Sequence, residues 1–256
     1  MSSAGATQPG QGAQSLKAQP LTVLVAGGSG ASGIAVARAL AAAGHRVATA
    51  GSDQARIHQA AQEAGDGVTP FTCDLAVLAD VRQLRDDVTG ALGAVDGVIH
   101  LVGGWRGAKG IADQSDDDWD FLERGAITTL RNVSRVFFDG LAASASGRFA
   151  MVSSTSLDKP TAAAASYVAA KAAAEAWTMA MADGFRRAAG AGGAGGSPAA
   201  ASILVVKALV DDELRRTHPE RKFPGATDVA DLASAVVRLF ATPSAEINGA
   251  RLRLAE

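Results

Sequence analysis

Residues 21–40 read LTVLVAGGSGASGIAVARAL, an apolar run followed at once by a glycine-rich turn and a helical pattern. The apolar run predicts a strand buried on both faces. Glycines let the backbone approach a pyrophosphate, and the free N–H groups of the following helix favour an anion. The spacing fits two glycine registers, which start at Gly28 and Gly27 and share Gly30 and Gly33. The stretch predicts a dinucleotide-binding turn, with a tight turn that binds no ligand as the alternative.

The same alternation of short apolar runs and longer helical patterns continues along the chain. Strands are predicted at 21–26, 46–50, 68–72, 97–102, 148–153, 201–206 and 251–254. Helices are predicted at about 31–44, 53–64, 77–91, 116–140, 162–189 and 228–241. Strand–helix alternation requires crossover connections, and therefore a mainly parallel sheet with helices on both faces. The pattern predicts a single α/β domain over residues 21–256, doubly wound and Rossmann-like.

Composition excludes several classes of protein. The 256 residues carry 26 acidic and 24 basic side chains, a net charge of −2, so no basic surface indicates nucleic acid or an anionic membrane. The chain has one cysteine and four scattered histidines, which are too few to form a disulfide scaffold or to supply the ligand cluster of a structural zinc site. With no secretion signal or membrane-spanning run, we expect a soluble cytoplasmic protein. Residues 1–20 are predicted to form a disordered tail, and 190–198 a flexible glycine-rich insertion.

A tyrosine and a lysine lie one turn apart on the predicted helix 162–189. Tyr167 is the single tyrosine of the chain, and Lys171 projects from the same helix face. A neighbouring ammonium favours the phenolate, which predicts a tyrosine able to exchange protons near neutral pH. Ser154 follows a predicted strand, thirteen residues before the tyrosine, and its hydroxyl is expected to bind a substrate oxygen.

Together these motifs resemble the short-chain dehydrogenase/reductase family over residues 21–254. The resemblance implies that Tyr167 transfers the proton, Lys171 lowers its pKa and holds the nicotinamide ribose, and Ser154 orients the substrate oxygen. It implies an NAD or NADP cofactor and a small-molecule carbonyl or alcohol substrate. The residues expected to contact the cofactor are Gly27, Ser29, Gly30, Ala31, Ser32, Gly33, Ser52, Asp74, Leu75, Val102, Gly103, Tyr167 and Lys171.

The choice between NAD and NADP depends on the end of the second strand. A carboxylate there would bind the ribose hydroxyls and repel a 2′-phosphate. Asp53 lies two residues beyond the expected position, and we interpret it as the N-cap of the next helix. Ser52 could bind a phosphate but carries no charge. NADP is favoured slightly, because no acid clearly excludes it.

The sequence also departs from the family pattern close to the expected chemistry. The Asn-Asn-Ala-Gly turn reads His100-Leu-Val-Gly103, and we expect His100 to bond to the backbone rather than to act in catalysis. Alignment from Trp119 places Ala126 where the family has the asparagine of its proton relay. The Pro-Gly that follows the sixth strand is replaced by Val206 and Lys207, and the lysine is expected to face solvent.

These departures leave alternative functions open. The first is an NAD(P)-dependent oxidoreductase with hydride transfer and tyrosine-mediated proton transfer. The second is a dinucleotide-binding sensor, regulatory or interaction protein with little turnover, because a fold alone does not fix a function. An epimerisation or elimination that begins with transient oxidation is a third. Small side chains at 162–165 and 172–174 predict a homodimer or homotetramer, and the loops at 105–118 and 211–223 are expected to set substrate specificity.

Overall fold

A computed structural model describes residues 20–190 and 197–254. Most of the predicted tail and of the glycine-rich insertion therefore lies outside the described residues. Within them, every predicted strand and helix is present, with ends within a few residues of the predicted positions. No helix among the described residues is both long and apolar enough to cross a membrane.

The strands of the described residues form one parallel sheet and one two-stranded ladder. They are β1 (Thr22–Ala26), β2 (Arg46–Gly51), β3 (Val68–Thr72), β4 (Gly97–His100), β5 (Arg148–Ser154), β6 (Ala200–Val206), β7 (Leu209–Val210), β8 (Thr227–Asp228) and β9 (Arg251–Arg253). The main sheet has the order β3-β2-β1-β4-β5-β6-β9, and β7 pairs with β8. All pairs are parallel. This is the predicted Rossmann-like arrangement, confirmed as a single domain with helices on both sides.

The α-helices of the described residues connect these strands. They are α1 (Ala31–Ala42), α2 (Gln54–Ala64), α3 (Leu78–Leu92), α4 (Asp116–Glu123), α5 (Thr129–Ala143), α6 (Ala165–Gly190), α7 (Asp212–Thr217), α8 (Val229–Ala241) and α9 (Ser244–Ile247). The helix predicted at 116–140 is divided, because a π-helical turn at Arg124–Thr128 separates α4 from α5. The sequence pattern missed α9, β7 and β8, which are too short to show a clear periodicity, whereas a solvated helix was expected within 211–221 and α7 lies there.

Two apolar layers cover the two faces of the sheet. One face of β1 presents Leu24 and Ala26 to the cluster that contains Phe137 and Phe185 from α5 and α6. The opposite face presents Val23 and Val25 to the cluster built with α1 and α8. All five residues of β1 are buried, as a continuously apolar strand in the centre of a parallel sheet requires.

The strand order reverses between β1 and β4, and this reversal fixes where a ligand can bind. The chain runs outward from β1 to β3, then crosses back to place β4 on the other side of β1. Such a switch point leaves a crevice at the carboxyl ends of the strands. Ala26 and His100 are neighbours there, and the N–H of Leu101 donates to the carbonyl of Ala26 over 2.8 Å. The glycine-rich turn and the segment after β4 therefore meet at one edge.

Candidate active site

The glycine-rich turn is shaped by two close backbone approaches. Gly27 has a φ of +89°, and a Cβ there would lie 2.9 Å from the backbone nitrogen of Val102. A Cβ on Gly33 would lie 2.6 Å from the carbonyl oxygen of Gly27. Only glycine allows the turn to pass between the segment after β4 and the first turn of α1. The predicted role of these glycines in a tight strand-to-helix turn is thus explained by packing.

The amino end of α1 is open toward the crevice. Gly30 is the N-cap of α1, and no side chain caps the helix. A Cβ built on Gly30 would meet nothing within 4 Å. The unpaired N–H groups of the first helical turn and the helix dipole therefore face open space, which is an arrangement that binds anions. A dinucleotide pyrophosphate fits this position.

A cavity of about 500 Å³ extends from the turn toward β2 and β3, and we call it the β2-side cavity. It contains eight of the residues predicted to hold the cofactor, which are Gly27, Ser29, Gly30, Ser52, Asp74, Leu75, Val102 and Gly103. A smaller cavity of about 300 Å³ is lined by the other three turn residues, Ala31, Ser32 and Gly33. The two cavities share Gly27 and Gly30, so the predicted residues surround one continuous edge of the turn.

The polar groups at the end of β2 lie where the sequence analysis looked for a residue that distinguishes NAD from NADP. Asp53 accepts a 2.9 Å hydrogen bond from the N–H of Arg56 and caps α2, as interpreted from the sequence. Ser29, Ser52 and Arg56 line the cavity beside it. Arg56 was not predicted, because one arginine in the first turn of a helix carries no local signal. Its guanidinium group supplies the positive charge that Ser52 lacks.

The segment after β3, which lines the β2-side cavity, is held by an ion pair and by a buried amide side chain. The carboxylate of Asp74 forms an ion pair with Arg124 in the π-helical turn, with 2.6 Å between Oδ2 and Nη2. The buried side chain of Asn132 donates to the carbonyl of Leu75 over 3.2 Å. Asn132, six residues after the relay position Ala126, thus binds the backbone of a residue that lines the β2-side cavity. Cys73, in the same segment, is a buried free thiol whose pKa burial raises to about 12, so it packs as a small apolar residue.

Tyr167 and Lys171 line a further cavity of about 590 Å³, which we call the tyrosine-side cavity. Val102 and Gly103 line this cavity as well as the β2-side cavity. The two spaces therefore meet at the segment after β4. An extended ligand that begins at β2 and crosses the turn would end beside the phenol.

The protonation of Tyr167 differs from the sequence-based expectation. Burial raises the pKa of Tyr167 above its ordinary value of 10, while a hydrogen bond with Ser154 acts in the opposite direction. The predicted lowering by Lys171 is wrong for the protein without ligand. The physical reason is desolvation, which penalises the phenolate more than the surrounding groups stabilise it. The phenol is therefore protonated at neutral pH.

Ser154 and Ser153 lie at the end of β5 with different partners. Ser154 is buried, and its Oγ accepts from the N–H of Ser156 over 3.1 Å. Of these two serines it is Ser153 that lines the tyrosine-side cavity, and its buried Oγ has no hydrogen-bond partner among the described residues. Ser154 lies beside Tyr167, whose pKa its hydroxyl lowers, and its Oγ donates to the hydroxyl of Ser156 over 3.1 Å. Successive strand residues point to opposite faces, which separates the two hydroxyls.

Lys171 is fixed by the backbone of β5. Its Nζ donates a 2.9 Å hydrogen bond to the carbonyl of Val152. A Cβ on Gly103 would lie 3.3 Å from the same Nζ, so the ammonium lies beside the loop after β4. Burial lowers the pKa of Lys171 to about 8, and Glu175 acts in the opposite direction. The ammonium therefore remains charged at pH 7 but close to its titration range.

The relay position predicted from the alignment lies in the π-helical turn. Ala126 is buried there and packs with Leu122, Ala170 and Tyr167. Its methyl group belongs to the apolar cluster against which Tyr167 packs, and it offers no hydrogen-bonding atom. The residue lies in a π-helical turn, Arg124–Thr128, and such turns are frequent at functional sites. The position expected for the relay asparagine therefore carries no side-chain amide.

His100 occupies the first position of the family's Asn-Asn-Ala-Gly turn and is fully buried. Its Nε2 lies 2.9 Å from the hydroxyl of Thr129, which in turn donates to the carbonyl of Gly125 over 2.6 Å. Because the carbonyl can only accept, the threonine proton is used there, and Nε2–H donates to the threonine oxygen. Burial and then Lys171 lower the pKa of His100 to about 3. A backbone hydrogen bond, as expected for His100, acts in the opposite direction on this pKa, and the imidazole is neutral.

The carboxyl end of β6 has an unusual composition for a cofactor site. Val206 and Lys207 line the tyrosine-side cavity, and Lys207 is exposed, as expected. Its Nζ donates to the carbonyl of Pro224 over 2.8 Å. Asp211 caps the short helix α7 by accepting 2.7 Å from the N–H of Leu214. The charged segment after β6 therefore contains a helix, and its residues Asp211 and Leu214 line the smaller cavity at the glycine-rich turn.

A glutamine that the sequence analysis overlooked connects the loop after β4 with the tyrosine segment. Gln114 Oε1 accepts from the hydroxyl of Ser166 over 2.6 Å, and its Nε2 donates to the carbonyls of Gly110 and Ala162 over 3.1 and 3.0 Å. The two segments are about fifty residues apart in the chain. No local pattern could have shown this contact.

An uncapped helix at the switch point of a parallel sheet, with cavities on both sides, defines a dinucleotide-binding α/β protein. The profile of the short chain dehydrogenase family matches residues 21–188, and the chain belongs to the short-chain dehydrogenase/reductase family. An uncharacterized oxidoreductase of Mycobacterium tuberculosis is 31% identical over 136 residues, 51% of this chain and 50% of that protein. Acetoacetyl-CoA reductase of Allochromatium vinosum is 26% identical over 166 residues, 62% of this chain and 66% of that protein.

The first of these relatives is matched over about half of its length. Among solved structures, a short chain oxidoreductase of Pseudomonas aeruginosa with an atypical catalytic center, bound to NADPH, superposes with a TM-score of 0.78 at 19% identity. That comparison covers 91% of this chain and 94% of the other. NAD+-bound xylitol dehydrogenase gives a TM-score of 0.78 at 18% identity, covering 92% and 97%. At these identities the structures confirm the fold.

Proposed function

We propose that the protein is an NAD(P)-dependent oxidoreductase that interconverts a carbonyl and a secondary alcohol. One observation carries this proposal: Tyr167 and Lys171 line a cavity that shares Val102 and Gly103 with the cavity beside the uncapped helix. A dinucleotide bound along this path would have its pyrophosphate at Gly30 and its other end beside the phenol. The NADPH-bound neighbour and the acetoacetyl-CoA reductase relative support this assignment.

The side chains divide the proton chemistry between them. The bound dinucleotide would supply or accept the hydride. Tyr167, protonated at neutral pH, would donate its proton to the oxygen of a carbonyl during reduction. Ser154 would hydrogen-bond to the phenol and orient it, and Lys171 would hold the ribose and stabilise the phenolate left after the transfer. A raised pKa of Tyr167 suits the reductive direction, because the acid form is the one needed.

The test is a comparison of Tyr167→Phe with the unaltered protein over a panel of ketones and aldehydes with NADPH and NADH. We expect turnover to fall by at least about a hundredfold while the dissociation constant for the dinucleotide changes less than about threefold, since proton transfer is typically worth that much. Phe138→Tyr, an α5 position packed on Phe185, controls for nonspecific aromatic effects. Equal turnover by Tyr167→Phe and the unaltered protein would contradict the proposal.

We further propose a preference for NADP. Arg56, Ser29 and Ser52 line the end of the cavity where a 2′-phosphate would lie, and the nearby carboxylate of Asp53 is occupied by the helix cap. The substitution Arg56→Ala is expected to raise KM for NADPH about tenfold and leave KM for NADH unchanged, because an arginine–phosphate contact is charge-assisted. Arg82→Ala, on the exposed side of α3, is the control. An equal change for both cofactors would argue against this preference.

The alternative, a dinucleotide sensor with little turnover, also has an observation in its favour. Ala126 offers no hydrogen-bonding side chain beside Tyr167, and burial keeps the phenol from ionising. A nucleotide titration followed by protein fluorescence separates the two functions. Binding of NADPH without any Tyr167-dependent turnover would support the sensor, and Tyr167-dependent turnover would support the enzyme.

We also propose that the protein forms a homodimer or homotetramer through α4 and α6. Ala172 and Ala173 are exposed on α6, whereas Ala174 of the predicted stripe is buried in the core. Exposed Trp119 on α4 and Met179 on α6 add apolar surface. Such surface is typical of interfaces between subunits. A light-scattering mass of one 25.7 kDa chain at micromolar concentration would contradict the proposal.

A further inference from the structure

The tyrosine-side cavity has a one-sided charge distribution. Its charged lining residues are Lys171, Lys207 and Arg221, and no aspartate or glutamate is among the described residues that line it. The whole chain has a slight excess of acids, so a cavity with cations alone is not explained by composition. Lys171 lies deep in the cavity beside Val152, whereas the other two cations lie at its exposed mouth.

The ammonium group of Lys207 is held by a backbone carbonyl rather than by a carboxylate. Its Nζ donates one hydrogen bond, of 2.8 Å, to the carbonyl of Pro224. An ammonium group has three N–H donors, so two remain for a ligand. The contact with Pro224 also fixes the direction of a flexible side chain, which lowers the entropy lost when a ligand binds.

Arg221 is placed by an aromatic neighbour. Its guanidinium carbon lies 5.1 Å from the ring centroid of Phe223, within the range of a cation–π interaction. Within the residues that the structure describes, neither Arg221 nor Lys207 forms an ion pair. The arginines of nearby α7 behave differently, because Arg215 pairs with Asp228 and Arg216 pairs with Glu213. Two cations thus stay available at the mouth of the cavity while their neighbours are neutralised.

We infer that the substrate is a carbonyl compound that carries a carboxylate or phosphate, bound by Lys207 and Arg221. This inference rests on the proposed oxidoreductase function and names the substrate class of the same site. The pyrophosphate of the cofactor is assigned to the amino end of α1, so the two mouth cations are free for a second anion. Two charge-assisted hydrogen bonds also orient a ligand better than apolar walls do.

The other walls show which part of the substrate lies deeper. Trp105, Val206 and Leu209 also line the cavity and give it apolar walls. An anion at the mouth and a carbonyl at Tyr167 would place an apolar segment against these side chains. The inferred substrate is therefore an oxo acid, or an oxo compound with a phosphate group, with a hydrocarbon part between the two polar ends.

The test uses pairs of ligands that share a carbon skeleton and differ in whether the acid group is charged. Calorimetric titrations measure the binding of 2-oxo-2-phenylacetate, 4-oxopentanoate and 5-oxohexanoate, and of their methyl esters, to the protein alone and saturated with NADP+. These mixtures lack a hydride donor, so binding is read without turnover. The double variant Lys207→Gln/Arg221→Gln is compared with Arg216→Gln/Lys222→Gln, which removes two charges from exposed positions that do not line the cavity.

At least one acid is expected to bind about tenfold more tightly than its ester, and the cavity double variant is expected to remove this difference. The control double variant is expected to retain it. Equal binding of acids and esters, or an acid preference that survives the cavity variant, would overturn the inference. So would a loss of NADPH affinity in the cavity variant equal to the loss for the acid, because the cations would then serve the cofactor.

The outcome is separable from the fate of the proposed function. Tyr167→Phe removes turnover if the proposed function is right but is expected to leave the charge preference in binding unchanged. A protein that selects acids without any turnover would refute the oxidoreductase and keep the anion site. A protein that reduces neutral ketones and their acidic analogues with the same kcat/KM would refute the anion site and keep the oxidoreductase.

Discussion

The hydroxyl of Ser166 donates a 2.6 Å hydrogen bond to the side-chain oxygen of Gln114, and Ser166 immediately precedes Tyr167. The same glutamine donates to the carbonyl of Ala162 and to its own loop at Gly110. One side chain therefore joins the loop that carries Trp105 to the segment that carries the phenol. The distance between the apolar wall of the cavity and Tyr167 depends on this contact.

Replacing this glutamine is expected to loosen the site without unfolding the protein. Gln114→Leu removes one acceptor and two donors, and we expect kcat/KM to fall about tenfold or more, because small displacements of positioned groups are costly. Gln114→Glu keeps the acceptor for Ser166 and is expected to recover part of the loss. Gln83→Leu, which removes a surface contact with Asp87 on α3, is the control. Unchanged steady-state kinetics of Gln114→Leu would show that the contact positions nothing.

The same added methyl group is expected to change the free energy of unfolding very little at one glycine of the turn and to lower it at another. Gly30→Ala places a Cβ in open space, so the free energy of unfolding should change by less than about 0.5 kcal/mol. Gly33→Ala places a Cβ 2.6 Å from the Gly27 carbonyl and should lose about 1–3 kcal/mol.

Dinucleotide binding distinguishes a cofactor site from a structural turn at these positions. Gly30→Ala is expected to weaken NADPH binding at least about tenfold in calorimetry, because its methyl group would occupy the space proposed for the pyrophosphate. Urea unfolding of both variants measures the stability difference. Normal NADPH affinity in a folded Gly30→Ala variant would rule out the assigned pyrophosphate position.

The buried ammonium of Lys171 is expected to lower stability at neutral pH. Its pKa in the folded protein is about 8, below the ordinary value of 10.5, so the charged form is disfavoured by folding. This cost is fully present below pH 8 and disappears as pH rises toward 10.5. Lys171→Met should therefore stabilise the protein by about 1–2 kcal/mol at pH 7, after the loss of the Val152 hydrogen bond.

The measurement is chemical unfolding at pH 7 and at pH 10, with Lys159→Met at an exposed position as the matched control. The stabilisation by Lys171→Met should shrink at the higher pH. An advantage that stays constant between the two pH values would show that the packing of the methionine, rather than the removed charge, is responsible.

His100 is expected to make the fold sensitive to acid. Its pKa of about 3 in the folded protein lies below the ordinary value of 6.5, so the unfolded chain binds the proton first. The stability from the neutral imidazole is present above pH 6.5 and is lost as pH falls toward 3. Between pH 7 and pH 5 this group should account for about 2 kcal/mol of lost stability.

His100→Asn removes this titration and should flatten the decline in stability over that interval. His58→Asn, at an exposed position of α2, should leave the decline unchanged. Denaturant unfolding at both pH values is the measurement. A decline as steep in His100→Asn as in the unaltered protein would assign the acid sensitivity to other groups.

Sequence patterns were most informative where the chemistry is local. The first strand, the glycine turn and α1 were predicted correctly because apolar runs and glycine spacing act over a few residues. The cap by Asp53 was also correct, because a helix cap needs one side chain and one nearby N–H. The strand predicted to extend to Val102 ends at His100, because the chain turns there to pass Gly27.

The pKa of the tyrosine shows the limit of such patterns. The spacing of Tyr167 and Lys171 fixed their common helix face, but it could not show that Lys171 binds the Val152 carbonyl and that burial dominates the phenol. The side-chain partner of His100 at the end of β4, which is Thr129 at the start of α5, was equally hidden. Desolvation and long-range contacts depend on atoms that are far apart in the chain.

The order of residues by itself determined the alternation of strands and helices, the open turn at Gly30 and the tyrosine–lysine pair, because each is encoded within a few neighbouring positions. Folding alone decided that Gln114 reaches Ser166, that the β2-side and tyrosine-side cavities meet at Val102, and that Lys207 and Arg221 share the mouth of the second. These relationships join segments that are distant in the chain, and only the packing of the sheet and its helices sets the distances between them.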